Sequence, residues 1–235
     1  MNVLTQLASL DGISFIFKWL HLFFGLLWIG HLYYFNFTQG SAMAQADAAT
    51  KSGITTKLVP IALWWFRWGA MWTLVTGLIL LAIKGHSGGM QVYASSWGVT
   101  ILIGVVMGIT MWANVWFIIW PHQQIIMASA NKVAGGGAAD PQAALVAPKA
   151  MLASRTNVLM SIPLLFFMES ANHLQLPITP ESNLTLAVVI LAILLLIIEG
   201  NAIKGKVFFM QTVKGVITGG FVLTALIYAV LAIAI

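Results

Sequence analysis

No cysteine occurs among the 235 residues. That removes disulfides, iron–sulfur clusters, thiolate zinc sites and covalently attached c-type haem. A metal in this protein must be held by His, carboxylate, Met or backbone groups. Charge is scarce too: 7% of the residues are Asp, Glu, Lys or Arg, against roughly 25% in a soluble domain. So little charge cannot coat a water-facing surface, which argues against a soluble globular protein. What is abundant is apolar, 60% of the chain. A membrane-crossing helix takes ~20 such residues, so the length accommodates about six with short loops. The net charge of +5 carries no nucleic-acid signal here, because basic residues of membrane proteins gather in cytoplasmic loops.

The expected fold is therefore an all-α integral membrane protein, a bundle of about six transmembrane helices forming one membrane domain over residues 1–235. Hydropathy places the spans at about 14–37, 59–83, 97–120, 155–173, 184–198 and 216–235. LTLAVVILAILLLII and GGFVLTALIYAVLAIAI, in the last two, are the plainest apolar runs. The second and third spans are rich in Trp, and interfacial rings account for those near the ends. Trp72 and Trp112 lie deeper and need something to pack on. Residues 41–56 read as a loop or surface helix, 85–89 as a turn, and 132–149, with GGGAADP, as the longest flexible connection.

Lys51 and Lys57 follow the first span, Lys132 and Lys149 the third (with Arg155 at the edge), and Lys204, Lys206 and Lys214 the fifth. The opposite side has Lys84 between spans and Lys18 just inside the first. This asymmetry predicts that both termini face outward, away from the cytoplasm. Lipid is the expected partner, and no nucleic acid.

Ionisable and amide residues inside spans are informative because each costs several kcal/mol unless paired or hydrated. His21 and His31 lie on the first span, Arg67 on the second and Asn114 on the third. Glu169 and His173 stand one turn apart at the end of the fourth, and Glu199 flanks the fifth. Gly25 follows His21 one turn on, on the same face, leaving room for a flat group. His21 and His173 are expected in one layer near the outer face, separated by ~8 Å in depth at 1.5 Å per residue. Such a pair suits a bis-His haem b or another metal; hydrogen bonding between helices is the plain alternative. A second, inner haem between His31 and His122 is geometrically conceivable, against an ordinary interfacial role for His122. Arg67 is too deep for easy snorkelling and is expected to meet Glu169, a haem propionate or an anionic substrate. Asn114 is expected to bond a neighbouring helix. Glu169 and His173 form either a proton-relay pair or a solvated helix end.

WLHLFFGLLWIGHLYYFNF, FRWGAMWTLVTGLILL, MGITMWANVWFIIWPHQ and SRTNVLMSIPLLFFMESANH, between residues 14 and about 175, resemble segments of the membrane domain of the bacterial urate hydroxylases. Full-length members of that family end in a cytochrome c domain. The resemblance carries over His21, Arg67, Asn114, Gln123, Arg155, Asn157, Asn172 and His173 as matched polar positions. His31 and His122 fall where the family pattern has no His. The chain has no CxxCH, so it looks like a short form without an attached electron acceptor.

Two readings follow. One is a membrane redox protein, binding haem b or a metal through His21 and His173, passing electrons to a separate cytochrome c or quinone, with urate as one substrate and Arg67 as its anchor. The other is a non-catalytic subunit of a larger respiratory, oxygenase or photosynthetic assembly, whose Trp-rich spans face other membrane subunits.

Overall fold

The structure is a computed structural model, described over residues 3–174, 176–179 and 181–234. Ile235, the end of the sixth expected span, lies outside the described residues. Six helices are long and apolar enough to cross a membrane: α1 Leu10–Gln45, α2 Ala48–Gly88, α3 Ser96–Ala134, α4 Pro141–His173, α5 Leu184–Lys204 and α6 Val213–Ala234. No strand occurs among the described residues. The protein is thus an all-α membrane protein of six spans.

Short polar residues start the helices by accepting otherwise orphaned N–H groups. Ser9 accepts from Gly12, Asp47 from Thr50, Ser95 from Gly98, Asp140 from Gln142 and Asn183 from Leu186. The Thr50 hydrogen bonds hold the Asp47 carboxyl below the usual carboxylate range. The connections are shorter than expected. Helix continues through most of 41–56, and the link 132–149 contracts to the residues between Ala134 and Pro141. Gly136, at φ 83°, makes the turn there, a conformation that L side chains resist. Pro141 opens α4, where its missing N–H would be an orphan anyway. Helices α1 to α3 have 36, 41 and 39 residues. At 1.5 Å per residue they exceed a ~30 Å hydrocarbon core, so they project past it.

α4 is the axis of the bundle. In its most apolar stretch 61% of residues are buried, against 6–33% in the other five helices. It is also the least hydropathic of the six, because its neighbours are protein rather than lipid. Small and polar residues on it, among them Ala153, Thr156, Asn157 and Ser161, are fully packed, as helix interfaces in membranes prefer. Two long helices change to π-helical geometry near asparagines that reach α4. In α1 the stretch Tyr34–Gln39 holds Asn36, whose Nδ2 donates to Leu32 O at 2.9 Å and Ser154 Oγ at 2.8 Å. In α3 the stretch Asn114–Ile119 opens on Asn114. Such bulges break the i→i−4 ladder and gather at functional sites.

The helix directions put the expected lysine-rich segments at one end of the bundle. If that end faces the cytoplasm, Cys introduced at Ser52 or Ala138 should resist an impermeant thiol reagent in intact cells, and Cys at Ser87 should be labelled. The reverse pattern would invert the orientation.

Candidate functional site

Two polar groups occupy opposite halves of the bundle. At the end away from the lysines, His21 turns from α1 to α2. Its Nδ1 lies 2.9 Å from Thr73 O and 3.2 Å from Thr76 Oγ1. A carbonyl only accepts, so Nδ1 carries the proton and donates to Thr73. Nε2 then keeps a lone pair and has no described hydrogen-bond partner. A ring nitrogen held in this way is the usual setting of a metal-binding His. The glycine that accommodates the ring is Gly77 of α2: a Cβ there would lie 2.9 Å from His21 Cε1. Gly25, the expected site for a flat group, faces open space.

His173 is differently placed. Its Nε2 is 3.2 Å from Glu169 Oε1, and the two side chains are 71% and 80% exposed. The Tyr33–Ser161 hydrogen bond, 2.9 Å, sets the register between α1 and α4. His21 lies twelve residues before Tyr33 and His173 twelve after Ser161, both toward the end of the bundle away from the lysines. The two find different partners. A bis-His haem needs both Nε2 atoms, and that of His173 faces Glu169. The pair as placed therefore does not fit that group, while His21 alone fits a single ligand role. Asn172 is exposed beside His173. Among the described residues no cluster of three or more His, Asp or Glu groups forms.

The lysine-rich half holds the buried polar centre. Asn114 is 1% exposed. Its Nδ2 donates to Asn157 Oδ1 on α4 and to Glu199 Oε2 on α5, each at 3.0 Å. Asn157 Nδ2 in turn donates to Met111 O at 2.9 Å, one turn before the π-helical stretch. Three helices are tied by one amide, and Asn114 Oδ1 remains without a partner among the described residues. Glu199 does not flank its span as expected. It lies inside α5, which continues to Lys204. The sequence signal was there, a lone carboxylate at the end of an apolar run, but hydropathy alone could not extend the helix past it.

The same π-helical stretch carries Trp116 toward α2. The Arg67 guanidinium carbon lies 3.8 Å from the Trp120 ring centroid, 5.3 Å from Trp116 and 5.9 Å from Trp68. It does not pair with Glu169. Arg67 Nε, Trp116 Nε1, Trp112 Nε1 and Arg155 Nη1 are buried donors with no partner among the described residues. Cation–π contact is worth up to ~2 kcal/mol when desolvated, less than the several kcal/mol of removing a guanidinium from water. An anion with acceptor atoms in the plane of the guanidinium is the kind of group that would offset the difference. His31 turns back to its own helix, Nδ1 to Leu27 O at 2.6 Å. His122 and Gln123, both half-buried, follow Trp120 on α3. The deep Trp72 meets Phe24 and remains 45% exposed, and Trp112 packs on Phe117.

Architecture and site define a polytopic helical membrane protein with a tryptophan-lined cation inside its bundle. A family model described as urate oxidase N-terminal matches residues 87–235. That is more than half of the chain, and the chain belongs to the urate oxidase N-terminal family. The match includes Asn114, Asn157 and Glu199, whereas His21 and Arg67 precede it. It also takes in the last two helices, α5 and α6. Comparison with curated proteins and with solved structures found no match.

Gly77→Ala should cost about 1–3 kcal/mol by overpacking the His21 ring. Gly25→Ala should be neutral or stabilise by up to ~1 kcal/mol, since Ala favours helix. Thermal unfolding in detergent reads both, and strong destabilisation by Gly25→Ala would point to a flat group resting there. Asn114→Leu should cost about 2 kcal/mol, the upper end for hydrogen bonds between membrane helices. It strands Asn157 and Glu199 together, and an unchanged melting temperature would contradict the network.

Proposed function

We propose that this chain is a membrane redox protein of the urate-oxidising type, taking urate or a similar planar purine anion beside Arg67. The observation that supports this most is the Arg67 guanidinium held 3.8 Å from Trp120 without a carboxylate partner among the described residues. Urate is flat, anionic at neutral pH and rimmed with acceptor oxygens. Arg67 Nε and Trp116 Nε1 are unsatisfied donors of the kind such oxygens accept from. Indole faces stack on a purine plane, and the pair discriminates flat anions from flexible carboxylates. Oxidation removes two electrons from the substrate, and a separate partner receives them. A haem b or metal, if the protein binds one, would supply one-electron chemistry, and His21 Nε2 is the ligand best prepared for it.

Urate binding to the detergent-solubilised protein, followed by equilibrium dialysis, tests this reading. Arg67→Gln should weaken binding about tenfold or more, the worth of one charge-assisted hydrogen bond. Arg67→Lys should recover only part of the loss, because it keeps charge without the planar fork. Absence of saturable urate binding, or equal binding by Arg67→Gln, would refute it.

A further inference from the structure

At the lysine-rich end, a cleft of about 580 Å³ opens between the early turns of α4 and the link from α5 to α6. Lys149 and Leu152 of α4, Ile203 and Lys204 at the end of α5, and Lys206 and Phe208 of the link are among its walls. Three ammonium groups therefore border one cavity. No carboxylate lines it, and none of the three lysines has an ion pair among the described residues. Like charges gathered without a counter-charge repel one another, and an anion between them relieves that repulsion.

The link that carries two of these lysines is pinned in shape. Asn201 Oδ1 accepts from Lys206 N and Asn201 Nδ2 donates to Lys206 O, each at 3.1 Å. Gly205 lies against that amide, where a Cβ would collide with Asn201 Oδ1. Met210, 2% exposed, fixes the far end of the link in the core. Lys204 and Lys206 thus flank one ordered turn, across the cleft from Lys149. The same link holds Phe208 at φ 44°, a left-handed conformation that bulky side chains rarely adopt, with its ring 62% exposed. Met151 and Ile203, also on the cleft, are about half exposed. The apolar run of α5 ends at Ile198, and Lys204 follows six residues on, ~9 Å at 1.5 Å per residue. That rise carries the ammonium groups out of the hydrocarbon and into the headgroup layer.

We infer that this cleft binds one anionic phospholipid, its phosphate among Lys149, Lys204 and Lys206 and its acyl chains against Met151, Ile203 and Phe208. Phosphate oxygens accept charge-assisted hydrogen bonds from ammonium groups, and basic pockets between membrane helices suit anionic headgroups. A zwitterionic lipid fits less well, because its own cation would join three that no carboxylate answers. A free phosphate would satisfy the lysines but leave the exposed apolar side chains uncovered, which favours the lipid. The site shares no residue with the Arg67 pocket and does not depend on the redox reading.

Native mass spectrometry of the full-length, delipidated protein in detergent, titrated with dioleoylphosphatidylglycerol, tests the site. One lipid should be retained, about tenfold more tightly than dioleoylphosphatidylcholine, which has the same chains and no net charge. Lys204→Gln combined with Lys206→Gln should weaken retention about twentyfold, roughly fivefold for each lysine. Lys51→Gln combined with Lys57→Gln removes the same charge outside the cleft and should leave retention within about twofold, since charges beyond a Debye length are screened. Lys149→Glu, a single change at an exposed position of α4, should remove the lipid, and it keeps the test intact if the double variant fails to fold. Four results would each overturn the proposal. They are equal retention of the two lipids, undiminished retention by the cleft variants, equal weakening by the Lys51 and Lys57 pair, and glycerol 3-phosphate binding as tight as the lipid's. The last would assign the lysines to a free phosphate.

Discussion

Hydrocarbon offers no hydrogen bonds, so a polar group carried into the bilayer must find its partner inside the protein. Asn114 meets that condition with one amide spread over three helices. Its Nδ2 reaches Asn157 on α4 and Glu199 on α5, and the backbone around it leaves α-helical geometry. The position of α5 depends on this contact more than on packing. Only 11% of its most apolar stretch is buried, and lipid tails are as apolar as its leucines, so the leucines constrain the rotation of α5 less than this polar contact does. Asn36 does the equivalent for α1, bonding Ser154 of α4. Two asparagines thereby fix the outer helices on a central one.

That central position explains which features were legible in the sequence. The six spans, their order and the apolar runs of α5 and α6 follow from hydropathy, because lipid-facing residues announce themselves. The start of α4 does not. Its first residues, Pro141 to Lys149, are rich in Ala and Pro and read as loop, yet they continue as helix because Asp140 caps them and Pro141 suits a first turn. Glu199 was hidden for a related reason, since a hydropathy window ends where a charge begins. Asn114 was legible as an interhelical bond, but its partners were not. A pairing between residues 43 and 85 positions apart leaves no local trace in one sequence.

The histidines show a different limit. Helical spacing puts His21 and Gly25 on one face, and that geometry holds. It does not determine which neighbour the face meets. α2 supplies Thr73, Thr76 and Gly77 at that level, a hydrogen-bonding and steric seat matched to one imidazole. His21 is therefore oriented by its neighbours, while His173, at an exposed helix end, is oriented only by Glu169.

The interior charges give the strongest reason to look for chemistry in the lysine-rich half. Arg67 and Glu199 are opposite in sign and sit on helices flanking α3, but no ion pair between them occurs among the described residues. A bundle selected for stability alone gains by joining them or by replacing both with apolar side chains. Here the cation is held against tryptophan rings and the carboxylate against an amide, with the π-helical stretch of α3 between. Each charge keeps an unsatisfied neighbour, a buried indole or guanidinium N–H on one side and Asn114 Oδ1 on the other. Separate polar ends that do not neutralise each other can each hold a ligand, an anion at the guanidinium and a hydrogen-bond donor at the amide oxygen. The cost in stability is the same order as the coupling that such sites return on binding, a few kcal/mol, and it is incurred where the helix geometry is already irregular.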